Sequence, residues 1–97
     1  MGKILLKNQD INLDTASSSD FIAIILKRLI LQKEYNKAEN ILFDEIEKNK
    51  SYQMYKIALD FYEVLSEKSN EELLEGNFSK EEILQGLKDI EAIFNKR

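Results

Sequence analysis

Apolar side chains recur three and four positions apart along most of this chain, and short polar breaks divide the pattern into five segments. That spacing places the apolar residues on one face of an α-helix. The chain has no proline and three glycines, so the residues that usually punctuate β-hairpins are scarce. The pattern predicts an all-α fold, a compact bundle of four to five short helices. The predicted helices cover residues 19–33, 35–49, 51–67, 69–75 and 80–96.

The second predicted helix carries a narrow apolar stripe with a small residue at its centre. Tyr35, Ala38, Leu42 and Ile46 fall on one face, and Ala38 leaves room for the preceding helix to approach closely. The third helix repeats the device, with Ala58 between aromatic residues. We therefore expect tetratricopeptide-like helix-turn-helix packing. Because one and a half units are too few for a solenoid, the chain should close as a bundle.

The first predicted helix is apolar on nearly every face, and such a helix is buried on all sides. It is then either the central element of the bundle or a helix with one face that closes a dimer. Residues 1–14 contain further apolar side chains and predict an N-terminal arm, exchanged or packed in a dimer, whereas residues 15–97 form a single helical domain. We expect a homodimer; the alternative is an arm that folds back over its own helix. The candidate interface residues are Ile4, Leu5, Leu6, Phe21, Ile22, Ile25 and Leu29.

Two local signals mark the ends of the last helices. Gly76 and Asn77 predict a C-cap, and Ser79 followed by Glu82 predicts a capping box at the start of the final helix. Gly86 lies within that helix, where glycine costs about 1 kcal/mol relative to alanine. We expect either a close approach of another backbone at this position or a tolerated cost.

The composition removes most catalytic chemistries. The chain has no cysteine and no histidine, which excludes thiolate chemistry and the commonest general base and metal ligand. It also lacks a glycine-rich phosphate loop and an EF-hand loop. We predict no catalytic, cofactor-binding or metal-binding residues. Aromatic residues at helical spacing belong to the core more often than to a ligand site, but three tyrosines are candidates for a partner groove: Tyr52, Tyr55 and Tyr62.

The net charge of −4 is concentrated in the second half of the chain. Between Asp60 and Glu82 there are eight acidic residues and two lysines, a surface that a phosphate backbone repels, so we expect no nucleic-acid partner. The longest apolar run has six residues, whereas a membrane-spanning helix needs about 20. With no signal-peptide pattern at the start, we expect a cytoplasmic protein without a membrane partner.

The stretches "KAENILFDEI", "IALDFYEVL" and "ELLEGNFSKEEILQGLKDI" resemble a family of small bacterial helical proteins, a domain of unknown function with some tetratricopeptide-like members. The resemblance covers about residues 20–92 and implies the helical fold but no activity. Its tail motif is matched by Phe78, Ser79, Glu82, Ile83, Gly86, Leu87, Asp89 and Ile90.

The expected function is a non-catalytic protein–protein interaction or scaffold module whose partner the sequence does not identify. One alternative is a small-ligand binder or enzyme that uses carboxylates in an aromatic-lined pocket, which two carboxylates with raised pKa values in a deep pocket would favour. A further alternative is an acidic mimic of nucleic acid that binds a basic partner.

Overall fold

Five α-helices make up 83% of the residues described by the computed structural model, which covers residues 18–95. No β-strand occurs in this range, so the predicted all-α bundle is confirmed. Every helix within it is too short or too polar to cross a membrane. The predicted arm, residues 1–14, lies outside the described residues. The helices are α1 (Ser18–Leu31), α2 (Tyr35–Lys48), α3 (Tyr52–Ser66), α4 (Asn70–Glu75) and α5 (Lys80–Asn95).

Helix α3 is the centre of the bundle. It contacts α1, α2 and α5, whereas α1 contacts mainly α2 and α3. Because α5 packs mainly on α3, helix α1 lies on another side of α3 in the described part of the chain. Of the two alternatives for the most apolar helix, the central position belongs to α3 among the described residues, and a dimer-closing face on α1 stays a prediction. Apolar composition predicts burial only when enough other helices are available to cover every face.

The core is built from the predicted stripes of α2 and α3. In α2, Tyr35, Ala38, Leu42 and Ile46 are at most 2% exposed, as their spacing predicts. Helix α3 contributes five buried residues, and α5 adds Gly86 between two buried isoleucines. The buried residues of α3 are Met54, Ala58, Phe61, Tyr62 and Leu65.

Serine side chains begin the last three helices. Ser51 accepts a hydrogen bond from the amide of Met54 at 3.2 Å, and Ser69 forms a reciprocal capping box with Glu72. At the start of α5 the predicted capping box is only half formed. Ser79 Oγ accepts from the Glu82 amide at 3.2 Å, but the Glu82 carboxylate accepts from the Ser79 hydroxyl at 3.4 Å instead of from the Ser79 amide.

The α1–α2 turn and the α4–α5 turn are held against each other. The Asn36 side-chain amide donates to the Asn77 carbonyl at 3.0 Å, and Asn77 has the left-handed φ of 60° that ends α4. A Cβ at Gly76 would overlap the Lys33 carbonyl oxygen and the Tyr35 ring. Only glycine therefore allows the two turns to approach this closely.

Gly86 allows α5 to lie against Tyr62 of α3. A Cβ at this position would overlap the ring carbons and the hydroxyl of Tyr62, which is fully buried. The sequence predicted a close approach here, but the neighbour is an aromatic side chain and not a backbone. The cost of glycine within the helix is thus offset by the packing of a buried tyrosine.

We predict that Gly86→Ala destabilises the fold. Overpacking a core costs about 1–3 kcal/mol, and the gain in helix propensity, about 1 kcal/mol, offsets only part of this cost because the Tyr62 ring has little room to move. Urea denaturation followed by circular dichroism measures the free energy of unfolding. Lys88→Ala, an exposed change on the same helix, is the matched control and should have little effect. A Gly86→Ala protein as stable as the parent would contradict the packing described above.

Candidate functional site

An apolar groove of about 780 Å³ lies between α1 and α3. We call it the α1–α3 groove. Both helices supply apolar walls because each carries more apolar residues than its core-facing stripe can bury. Charged side chains line it as well: three lysines (Lys27, Lys56 and Lys68) and two acids (Asp60 and Glu63). The apolar walls include Ala23, Ile30 and Leu31 of α1 and Ile57, Phe61 and Val64 of α3.

Helix α1 also exposes more apolar surface than any other described helix. Four of the seven exposed large hydrophobic residues of residues 18–95 are on it: Phe21 (46%), Ile24 (60%), Ile25 (40%) and Leu31 (82%). Leu31 lines the groove, and the other three lie outside it. Each such side chain forgoes about 1.5–3 kcal/mol of burial free energy. Exposed apolar residues concentrated in this way are typical of an interaction surface.

Of the four predicted dimer-interface residues that the structure describes, two are exposed and two are buried. Phe21 and Ile25 are exposed, whereas Ile22 and Leu29 are 8% exposed and belong to the core cluster. The other three predicted residues, Ile4, Leu5 and Leu6, lie outside the described residues.

The three tyrosines predicted to form a partner groove differ in their exposure. Tyr62 is fully buried, so its ring is not available to a partner. Tyr52 is 72% exposed, and Tyr55 is half-buried with its ring 5.1 Å from that of Phe94. Neither lines the α1–α3 groove. Tyr55 donates to the Glu91 carboxylate at 2.9 Å, and that hydrogen bond is the main reason why its pKa is raised.

Sequence reasoning missed the wall of the groove that α3 provides. Ile57 and Leu59 widen the apolar face of α3, but neither they nor Val64 are among the predicted site residues. All three line the groove and are half-buried. The excess width of the α3 stripe was the signal. It showed that α3 has more apolar surface than its neighbours cover, although it did not show that α1 forms the opposite wall.

A second, more polar cavity of about 330 Å³ lies between α2 and α5, and we call it the α2–α5 notch. Glu39 of α2 and Glu82 and Asp89 of α5 line it together with Gly86 and Phe43. Phe43 lies outside the main apolar stripe of α2 and is half-buried at this cavity. The notch is therefore an acidic depression with one aromatic wall.

The Tyr62 hydroxyl donates a hydrogen bond to Glu39 Oε2 at 2.5 Å. Burial raises the pKa of Glu39; the hydrogen bond from Tyr62 opposes this shift, and the charges of Glu82 and Asp89 add to it. The pKa of Tyr62 is raised far above its ordinary value, first by burial and then by the hydrogen bond to Glu39. Tyr62 therefore keeps its proton and acts as a donor.

The only groups of the described residues that could take part in chemistry at the notch with a shifted pKa are the half-buried Glu39 carboxylate and the Tyr62 hydroxyl that donates to it. Glu39 can accept a proton more readily than an ordinary glutamate, but its Oε2 atom is already bound by Tyr62. Within residues 18–95 there is no group of three acidic residues arranged to hold a metal ion. The contacts of Glu39 join α2 to α3, so its first role is to hold these helices together.

We predict that Glu39→Gln stabilises the protein at neutral pH. The folded-state pKa of Glu39 is raised, so the charged carboxylate costs stability above that pKa; the cost disappears as the pH falls through it toward the ordinary value of 4.5. Glutamine keeps an oxygen that accepts from Tyr62 but carries no charge. The gain in unfolding free energy should therefore shrink between neutral pH and about pH 4.5, the ordinary carboxyl value.

Urea titrations at several pH values measure this difference. Glu47→Gln, an exposed change on the same helix, removes the same charge without a buried partner and is the control. A Glu39→Gln protein that is less stable than the parent at neutral pH, or a difference independent of pH, would show that burial does not govern this carboxylate.

Residues 2–95, almost the whole chain, match the model of a single protein family. That family is described as a family of unknown function (DUF6483), which agrees with the resemblance to a domain of unknown function. Neither the curated proteins nor the solved structures provide a match to the chain. By this match over nearly its full length, the chain belongs to the DUF6483 family of unknown function.

Proposed function

We propose that this protein is a non-catalytic interaction module that binds an apolar segment of a protein partner in the α1–α3 groove. The observation that carries the proposal is the concentration of exposed apolar side chains on α1, beside an apolar groove of about 780 Å³. A cavity of that volume is in the range of ligand sites, but its open, elongated walls between two helices suit a peptide segment.

The dimensions of the groove favour a short amphipathic segment. Ala23 and Leu31 are eight residues apart on α1, which corresponds to about 12 Å along the helix axis. A partner helix with apolar residues at i, i+3, i+4 and i+7 spans this length and presents one continuous apolar face. Charges of both signs at the groove accommodate a partner with mixed charge and give no preference for a polyanion.

The tetratricopeptide-like character of the first three helices is part of the same proposal. Contacts of α1 with both α2 and α3 support it, because such repeats pack the first helix of one unit on the first helix of the next. We also propose that the protein acts in the bacterial cytoplasm.

A homodimer is a second candidate, and the exposure of Phe21 and Ile25 favours it. These residues were predicted at a dimer interface, and they lie on α1 outside the groove. A second copy that packed on them would cover apolar surface without closing the α1–α3 groove. Self-association and partner binding are therefore compatible.

We predict that Leu31→Glu abolishes or strongly weakens binding of peptides selected on the protein from a randomised library. Leu31 is 82% exposed, so the change should not disturb the fold, but it places a charge at the groove. Loss of one buried leucine contact is worth about 1.5–3 kcal/mol, or roughly tenfold or more in affinity. Fluorescence anisotropy with a labelled peptide measures the dissociation constant.

Leu74→Glu is the matched control. Leu74 is 67% exposed and lies outside the groove, so this variant has the same change of residue and of net charge. It should bind the peptides as the parent does. If the two variants weaken binding equally, or if no peptide is selected, the groove is not the binding site that we propose.

A further inference from the structure

The α1–α3 groove lies within reach of the chain that precedes α1. The groove extends along α1 to Leu31, about 20 Å from the start of that helix at Ser18. Leu6 is twelve residue steps from Ser18, and an extended chain of that length spans about 40 Å. The apolar residues near the start of the chain can therefore reach every part of the groove.

The composition of residues 2–17 complements the groove. Ile4, Leu5 and Leu6 are flanked by Lys3 and Lys7, while Ile11 and Leu13 are next to Asp10 and Asp14. The groove has apolar walls with both acidic and basic side chains along them. Lysines beside an apolar triplet match the two acids of α3, and the two aspartates match the three lysines. The segment and the groove therefore complement each other in apolar character and in charge.

The family match includes the segment that precedes α1. It begins at residue 2, so residues 2–17 belong to the same family unit as the five helices. A tether of this length gives its own groove an effective concentration in the millimolar range, which favours the same chain over a second copy at ordinary protein concentrations.

We propose that residues 2–17 dock in the α1–α3 groove of their own chain and that a partner must displace them to bind. The proposal rests on the proposed function for the identity of the site, and it adds a regulatory step to it. The apolar side chains of the segment and those of the groove are then both covered in the free protein. The apparent affinity for a partner is lowered in proportion to the fraction of molecules whose groove is open.

Paramagnetic broadening in the full-length chain tests this docking. The chain has no cysteine, so Gln9→Cys provides a single site for a nitroxide label and leaves the apolar residues on both sides unchanged. Docking predicts strong broadening of amide signals at Ala23, Ile57 and Val64 and little at Leu84, which is exposed on α5 away from the groove. Leu5→Glu in the labelled chain should remove the broadening, whereas Asn12→Glu, with the same added charge on a polar position, should retain most of it.

A mixture of two differently labelled chains shows whether the docked segment belongs to the same chain or to a second copy. The mixed sample contains two kinds of chain: one carries the nitroxide but no isotope enrichment, and the other is isotope-enriched but carries no nitroxide. Any broadening in this sample must therefore come from a nitroxide on another molecule. Docking within one chain predicts no broadening at the groove in this mixture. Broadening there would assign the segment to a second copy and overturn the proposal, as would a labelled chain in which no groove amide is broadened.

Peptide titration separates this inference from the proposed function. Leu5→Glu should raise the affinity for a groove-binding peptide, roughly tenfold if the segment occupies the groove about nine-tenths of the time, and Asn12→Glu should not. If peptides bind, and Leu31→Glu weakens their binding while Leu5→Glu does not change it, the proposed docking of residues 2–17 is wrong and the proposed function stands. If the groove amides are broadened but no peptide is ever bound, the segment is a permanent part of the fold and the proposed function fails.

Discussion

The packing of Tyr62 against Gly86 is the constraint on which the rest of the structure depends. Tyr62 belongs to α3, its ring lies where a Cβ of α5 would otherwise be, and its hydroxyl donates to Glu39 of α2. One fully buried side chain therefore joins three helices. Because the hydrogen bond ends on a half-buried carboxylate of α2, the contact combines apolar burial with a polar link between α2 and α3.

This arrangement determines which surface of the protein stays uncovered. With α5 packed on α3, the described helices leave the outer side of α1 without a neighbour, and the apolar residues that circle α1 are only partly buried. The same geometry opens the α1–α3 groove, since α3 must face both α1 and α5. The packing of α5 on α3 thus accounts both for the helical core and for the exposed groove. The α2–α5 notch lies beside Gly86, and its half-buried carboxylate, Glu39, is already used in the fold.

Much of the fold is predictable from the sequence because the buried face of a helix requires apolar residues at a spacing of three and four positions. The stripe from Tyr35 to Ile46 follows from the spacing of apolar residues, and the starts of α3, α4 and α5 agree with their capping serines. The candidate site is much less predictable. The sequence indicates that α1 has excess apolar surface, but which of Ile22 and Ile25 is buried depends on where α3 lies. Likewise Tyr52 and Tyr62 were both candidates for the partner groove, and the structure exposes Tyr52 but buries Tyr62 against Gly86.

The central claim is that the α1–α3 groove is the surface through which this protein binds a partner. Hydrogen–deuterium exchange of the full chain, with and without a saturating selected peptide, tests it most directly because it reports the bound surface without any substitution. The account predicts added protection in α1 between Ala23 and Leu31 and in α3 between Lys56 and Ser66, with α5 unchanged. Protection confined to α2 and α5 around the notch, or spread evenly over all five helices, would contradict it.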